Sequence, residues 1–430
     1  MTRPLAVALA GLGTVGIGVL RLLRDNAELV AARAGRPIAV TAVSARDRAR
    51  DRGVSLSGLR WYDDPVALAA DPKVDVVVEL IGGSEGPARA LVERALAAGK
   101  PVVTANKALL AVHGAAIAEL AERHGAPLGF EAAVAGGIPA IKAIREGLAA
   151  NRLHRVAGIL NGTCNYILTT MRTERREFGE VLAEAQKLGY AEADPSFDID
   201  GVDAAHKLAI LAALAFGRPV EFGAVHVEGI REVTALDIAL AEELGYRIKL
   251  LGIAKREEAG ISTRVHPCMV PASAPIARVD GVFNAVVAEG DFVGRVVLEG
   301  RGAGAGPTAS AVVADLIDLA RGRHTPVWGA GNGALDPSPA LPMDRHVGAY
   351  YLRLMVVDRP GVIADVTGVL RDHAISLESM LQRGRAPGEA VPVVLVTHDC
   401  EEAAMRAALA RIEALEAVLE KPALIRIEPL

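Results

Sequence analysis

The chain has 430 residues, enough for two or three domains, and its 51% hydrophobic content allows each a core. A net charge of −5, no basic block and only 3% aromatic residues argue against a nucleic-acid partner. The three cysteines, Cys164, Cys268 and Cys400, lie too far apart for a zinc motif or a disulfide framework and suit a reducing cytoplasm, and no run is apolar for long enough to span a membrane.

"MTRPLAVALAGLG" has the arginine, apolar run and A-L-A triplet of a small signal peptide. Its continuation supports a first buried strand instead, because the run leads into Gly11, Gly13 and Gly16 and then a helical pattern closed by Gly35. Strands "IAVTAV", "VDVVVEL", "PVVTAN" and "PLGFEA" alternate with helices "GPARALVERALAAG" and "ALLAVHGAAIAELAERHG". That rhythm predicts a Rossmann-type, doubly wound parallel α/β sheet over residues 1–130. Over 131–322 the rhythm changes. Helices are expected near 178–188, 202–216 and 234–244, and "RIKLLGIAKREEAGISTRVHPCMV" and "VFNAVVAEGDFVGRVVLEG" read as hairpins. An open, mostly antiparallel sheet with helices on one face follows, forming an α+β unit. "GRGAGAG" is a glycine loop ahead of one more helix. Residues 323–347, rich in Gly and Pro, read as a linker. Residues 348–430 read strand, helix, strand, strand, helix, strand, a ferredoxin-like βαββαβ unit.

"GLGTVG" follows a strand and opens a helix, the context in which the G-x-G-x-x-G pattern binds a dinucleotide. Gly11 permits the turn, Gly13 lets backbone approach a pyrophosphate, and Gly16 lets helix and strand pack; Leu12, Thr14 and Val15 complete the loop. Gly304 is assigned to the cofactor as well. The second strand ends without the acid that an NAD site places on the ribose, and Arg46, with Arg48 as a second candidate, is suited to a 2′-phosphate, so NADP is preferred over NAD. Asp47 is an awkward neighbour for that role. Thr104 and Lys107 follow a strand C-terminus, where open parallel sheets bind ligands. Lysine is scarce, nine of 47 basic residues, so a lysine inside a dense motif draws notice.

"GYAEADPSFDIDGVDAAHK", residues 189–207, holds Glu192, Asp194, Asp198, Asp200 and Asp203 and then Lys207. With Ser196 as its first position, the stretch begins like a calcium loop. The twelfth position, which needs a bidentate glutamate, is Lys207. Asp203 and Lys207 are one helical turn apart and share a face; an exposed pair of this kind contributes roughly 0.3–0.5 kcal/mol. His206 points elsewhere on the helix and is read as structural. Asp194, Asp198 and Asp200 are read as turn-shaping residues, with Asp200 a candidate helix cap.

Together "GLGTVG", "TANK", "EAAVAGGIP", "NGTCNY" and the acidic stretch resemble the homoserine dehydrogenase family over about residues 1–322, and "VVDRPGVIADVTGVLRDHAISLESM" resembles an ACT domain. The resemblance implies reversible, NAD(P)-linked interconversion of aspartate 4-semialdehyde and homoserine in threonine, methionine and isoleucine biosynthesis. It implies that Lys207 transfers the proton, that Glu192 and Asp203 hold the substrate with Gly189 and Tyr190 nearby, and that Lys107 lies at the nicotinamide edge. The chemistry agrees: the substrate's ammonium must be paired if buried, and the alkoxide made by hydride needs a proton. Sequence does not choose between Lys107 and Lys207 as the acid. The resemblance further implies a sodium or other monovalent ion held by Glu131 and the carbonyls of Val134, Gly136 and Ile138. It also implies a homodimer or homotetramer in the cytoplasm, and a threonine effector near Gly361. Two other readings stand beside it: a non-catalytic amino-acid sensor with a vestigial dinucleotide domain, and an NADP dehydrogenase for another amino-acid aldehyde.

Overall fold

Six short strands, β1 (Leu5–Ala10), β2 (Ile38–Ser44), β3 (Arg60–Tyr62), β4 (Val76–Glu79), β5 (Val102–Thr104) and β6 (Leu128–Gly129), pair in the order β3-β2-β1-β4-β5-β6. Every pairing is parallel. Helices cover the faces, so β1 is buried at all six positions, as its unbroken apolar run requires. This computed structural model describes residues 3–383 and 386–430. The edge strand β3 was not expected from the sequence; it is three residues long and too short to show a period. The helix Ala305–Ala320 also belongs to this layer, although the sequence assigned it to the middle region. It lies so close to the helix Thr14–Asp25 that a Cβ on Gly18 would sit 2.4 Å from the Ala305 carbonyl oxygen.

The second sheet runs Gly294–Arg301, Phe283–Gly290, Leu153–Ile159, Tyr246–Glu257, Gly260–Pro271, Ala423–Ile427, Val347–Val357, Ala390–Thr397 and Leu377–Gln382. Both predicted hairpins are present. The strand Leu153–Ile159, absent from the sequence reading, joins them by pairing with one on each side. The last four strands are those of the expected ferredoxin-like unit. Its strand Ala423–Ile427 pairs in parallel with the middle region's Gly260–Pro271 through Cys268↔Arg426 and Met269↔Ile427, making one continuous sheet.

The Gly/Pro segment 323–347 is also anchored. Trp328 is 1% exposed and packs edge-on against Phe130, with ring centroids 5.7 Å apart. Ala340–Leu341 adds a short parallel pairing to Ile261–Ser262. A lone buried tryptophan has no periodicity, so only the packing exposes this role.

Candidate active site

The strand order reverses between β1 and β4, and their C-terminal loops meet there. Gly11 has φ 101°, and a Cβ on it would stand 2.4 Å from the Leu80 carbonyl oxygen; one on Gly16 would be 2.1 Å from the Gly11 carbonyl. A Cβ on Gly13 would meet nothing within 4 Å among the described residues, so the space beside that backbone is open to a ligand. No side chain caps the helix Thr14–Asp25, leaving its first amides for an anion. Thr14 is exposed and Val15 half-buried, whereas Leu12 turns its side chain into the core and offers only main chain. Gly304, with φ 126°, begins the helix Ala305–Ala320, again without a side-chain cap.

Just past β2, Arg46 is exposed and has no ion pair among the described residues. The carboxylate of Asp47 accepts the amides of Ala49 (2.9 Å) and Arg50 (3.2 Å), which turns it to the backbone. Arg48 lies over the Trp61 ring, 5.7 Å from its centroid.

Thr104, expected to touch a ligand, is fully buried. Its hydroxyl donates to Glu79 Oε2 (2.6 Å), while Glu79 Oε1 accepts the amides of Ile81 (2.7 Å) and Gly82 (3.0 Å). Thr104 therefore braces two loops and presents no side chain to a cofactor. The Asn106 side chain accepts the Leu109 amide and donates to the Gly83 carbonyl (2.7 Å), which starts the helix Lys107–Arg123 and fixes Lys107 as its first residue.

Opposite stands the helix Val202–Phe216, which begins at Gly201 in the left-handed region (φ 87°). Asp203 is 4% exposed and shared by three donors. Its Oδ1 faces Lys107 Nζ at 3.0 Å, and its Oδ2 accepts from Lys207 Nζ (2.7 Å) and Asn161 Nδ2 (2.8 Å). Lys207 Nζ also donates to the Leu160 carbonyl (2.7 Å). Burial pushes the Asp203 carboxyl up, but the two lysines and the hydrogen bonds outweigh it and hold the group well below the usual carboxylate range. Burial lowers the proton affinity of Lys207; Asp203 resists that shift and Lys107 adds to it. The pair is thus far from the solvated i,i+4 contact that spacing alone suggests.

Asn161 and Asp198 are the site residues that sequence reasoning missed. Asn161 caps the helix Gly162–Glu174 through the Cys164 amide (2.8 Å) while its Nδ2 bridges Asp203 and Asp198 Oδ1 (2.7 Å). An Asn before a helical run signals the cap, but nothing in the sequence signals the bridge. Asp198, read as a turn former, is half-buried, and its carboxyl is raised by burial.

The other acids fall elsewhere. Asp194 accepts the Ser196 amide (3.1 Å), the turn role expected of it. Asp200 does not cap the following helix, where Gly201 is the cap residue; its side chain pairs instead with Arg231. Glu192 is exposed, and no hydrogen bond or ion pair joins its carboxylate to Asp203 or Lys207. Gly189 (φ 75°) and Tyr190 lead into that exposed loop; the Tyr190 ring lies 4.8 Å from the Tyr166 ring. His206 is packed between the rings of Phe197 and Phe222.

Two further groups bear on metals. Glu131 is 2% exposed and accepts the amides of Ile141 (3.0 Å) and Lys142 (2.8 Å); burial, helped by Asp315, pushes its carboxyl up to about 7. The sequence shows no Cys/His metal motif, yet the fold brings ligand-type atoms of His266, Cys268 and Glu428 within 4.8 Å of one another. Glu428 is already paired with Arg264 (2.6 Å), and Arg264 and Arg426 both act electrostatically on His266, so a dication would meet two positive charges.

A dinucleotide-type sheet whose open end faces a buried carboxylate shared by two lysines defines a nicotinamide-dependent dehydrogenase. Family models described as "Homoserine dehydrogenase, NAD binding domain", "Homoserine dehydrogenase" and "ACT domain" match residues 11–131, 139–317 and 350–417. The chain is 48% identical to a homoserine dehydrogenase of Pseudomonas aeruginosa, with all of both chains covered. It superposes on a crystal structure of the enzyme from Thiobacillus denitrificans with TM-score 0.94, at 51% identity and 99% coverage of each chain. A hyperthermophilic archaeal homoserine dehydrogenase in complex with NADPH is 26% identical, covering 75% of this chain and 99% of its own, with TM-score 0.64. The chain belongs to the homoserine dehydrogenase family, and it is an NAD(P)-dependent oxidoreductase acting on a CH–OH group. Among the described residues, no helix is long and apolar enough to cross a membrane.

Proposed function

We propose that Lys207 is the proton donor and acceptor in the interconversion of aspartate 4-semialdehyde and homoserine. The observation carrying this reading is Asp203, whose two oxygens each hold one lysine ammonium. A bound nicotinamide would supply or take the hydride. As hydride reaches the aldehyde carbon, charge develops on its oxygen, and Lys207 transfers a proton there. Its lowered proton affinity eases that transfer, and Asp203 with the Leu160 carbonyl fixes the direction of its N–H bonds. In the opposite direction the neutral amine takes the hydroxyl proton. Lys107, a third exposed, acts as the electrostatic clamp for the same oxygen.

Among the described residues Asp198 has only Asn161 as a side-chain hydrogen-bond partner and so has acceptor capacity left for the substrate ammonium. Glu192 reaches that ammonium only if substrate draws its loop inward. The free Arg46 supports NADP over NAD, through the 2′-phosphate. The carbonyls of Val134 and Gly136, without hydrogen-bond partners among the described residues, would suit a monovalent ion. Ile138's carbonyl already accepts the Ala140 amide (2.7 Å), and the Glu131 carboxylate would have to share oxygens that hold two amides. Activity unchanged between sodium and a bulky organic cation would remove the ion. A cleft of about 390 Å³ around Asp358, Gly361 and Gln382 supports a threonine effector, which an inhibition curve tests. The edge strand Gly294–Arg301, next to the 91% exposed Phe292, supports pairing with a second copy; a monomer by light scattering would remove that reading.

The deciding experiment compares Lys207→Ala with Lys107→Ala, following NADPH absorbance with aspartate semialdehyde. Lys207→Ala lowers kcat by about a thousandfold with a small change in KM. Full activity in Lys207→Ala, with loss in Lys107→Ala, would reverse the two roles.

A further inference from the structure

The turn Ser196–Asp200 carries Asp198 and leads directly into Asp203, and beyond its own local backbone hydrogen bonds it is supported from farther along the chain. It rests on residues 228–231. A Cβ on Gly229 would stand 2.2 Å from the Ile199 carbonyl oxygen and 2.5 Å from the Asp200 Cα, so the two backbones lie flat together. The Ile230 amide donates to the Ile199 carbonyl (2.8 Å). Arg231 pairs with Asp200 and donates to Ser196 Oγ (3.0 Å). A Cβ on Gly201 would come within 3.3 Å of the Glu228 carbonyl oxygen. Residues 228–231 are therefore the floor under the acidic turn.

That floor is fastened at Glu228, and most of the fastening comes from the C-terminal unit. Arg426 forks onto both Glu228 oxygens, Nη1 to Oε2 at 2.8 Å and Nη2 to Oε1 at 3.0 Å. Arg406 Nη2 donates to Oε1 (2.7 Å), and His226 Nε2 lies 2.9 Å from it. The other edge of Arg426 is gripped by Glu402 at 2.8 and 2.5 Å, and Tyr350 donates its hydroxyl to Glu402 (2.8 Å). Arg426 and Glu402 are almost wholly buried, and two carboxylates balance two guanidinium groups. A planar bidentate fork fixes both the distance and the orientation of its carboxylate, which a single lysine would not do.

We propose that Glu228 is a positioning residue for the substrate site: Arg426 and Arg406 of the C-terminal unit hold it, and through Gly229–Arg231 it sets where the turn presents Asp198 and Asp203. The inference rests on the reading that Asp198, Asp203 and Lys207 form the substrate site. It makes the C-terminal unit part of the scaffold of the active site, besides any effector it binds. Small displacements of substrate-positioning groups have large kinetic effects.

The test is Glu228→Gln in the full-length enzyme, which keeps the shape and removes the charge that Arg426 and Arg406 grip. The expected result is a rise in KM for homoserine of roughly tenfold or more, with the KM for the dinucleotide unchanged. Arg231→Ala, a change at a surface side chain, should raise the KM for homoserine alone, by a smaller factor, and it decides alone if Glu228→Gln does not fold. A lower melting temperature with both KM values unchanged would mean a purely structural role and overturn the proposal. So would equal rises in both KM values. Lys207→Ala separates the two levels. If it keeps full activity, the substrate-site reading falls and this proposal with it. If it is inactive while both other variants bind homoserine normally, Glu228 alone is misassigned.

Discussion

The two sheets are completed in different ways. The parallel sheet takes all six strands from residues 5–129 in succession and adds one helix from far along the chain, Ala305–Ala320. The long sheet takes strands from residue 153 to residue 427 and closes its middle with Ala423–Ile427 from the C-terminal unit. The difference extends to the functional groups. At the parallel sheet, the candidate ligand groups are main-chain amides and glycines at strand ends, set by local sequence. Across from it, the candidate groups are buried charges with partners far along the chain: Asp203 draws on residues 107 and 161 besides Lys207 on its own helix. A local phosphate loop is robust to distant change, whereas a buried charge cluster depends on every partner.

Three substitutions sharpen this contrast. Asp203→Asn should have the largest effect, because it removes the carboxylate with which both lysines pair. Breaking a buried pair in this way costs about 3–5 kcal/mol, and denaturant unfolding should show it along with loss of turnover. The pH dependence has a definite sign. The folded Asp203 carboxyl lies below its unfolded value of about 3.9, so its stabilisation is complete above that pH and lost as pH falls further. The Asn variant should lack this acid-side loss. An unchanged midpoint at neutral pH would mean that the charges are solvated after all.

Gly11→Ala comes next. The new methyl would stand 2.4 Å from the Leu80 carbonyl at φ 101°, and strain of this kind costs about 1–3 kcal/mol. NADH and NADPH should lose affinity together while the substrate KM is little changed; selective loss of one cofactor would contradict the shared phosphate role. The smallest and most selective effect belongs to Arg46→Ala. Losing a charge-assisted bond to a 2′-phosphate should raise the KM for NADPH by about tenfold to a hundredfold and leave NADH alone. Equal KM changes for the two cofactors would remove the NADP preference.

The legibility of each part follows from the range of its interactions. The glycine loop was readable because a turn, a strand end and a helix start leave their marks within about six residues. The ferredoxin-like unit was readable from its order of elements. β3 and Leu153–Ile159 were missed, the first too short for a pattern and the second a strand whose two partners lie in separate hairpins. Thr104 was placed correctly at a strand end, but its hydroxyl turns inward to Glu79, a partner 25 residues away. Asp198 and Asp200 look alike in the sequence. Asn161 brings the first to the site, while Arg231 holds the second at the surface.

The sequence by itself determined the sheet class of each region, the glycine loop between strand and helix, and Asp203 and Lys207 on one helix face. Those follow from short-range sterics and from periods of two and 3.6 residues. Only the tertiary structure decided that Asp203 joins Lys107 to Lys207, and that Asn161 ties it to Asp198. It also decided that Ala423–Ile427 completes the long sheet, with Arg426 gripping Glu228. Such choices depend on which distant charges end up buried side by side, where removal from water makes an unpaired charge costly and a matched partner decisive.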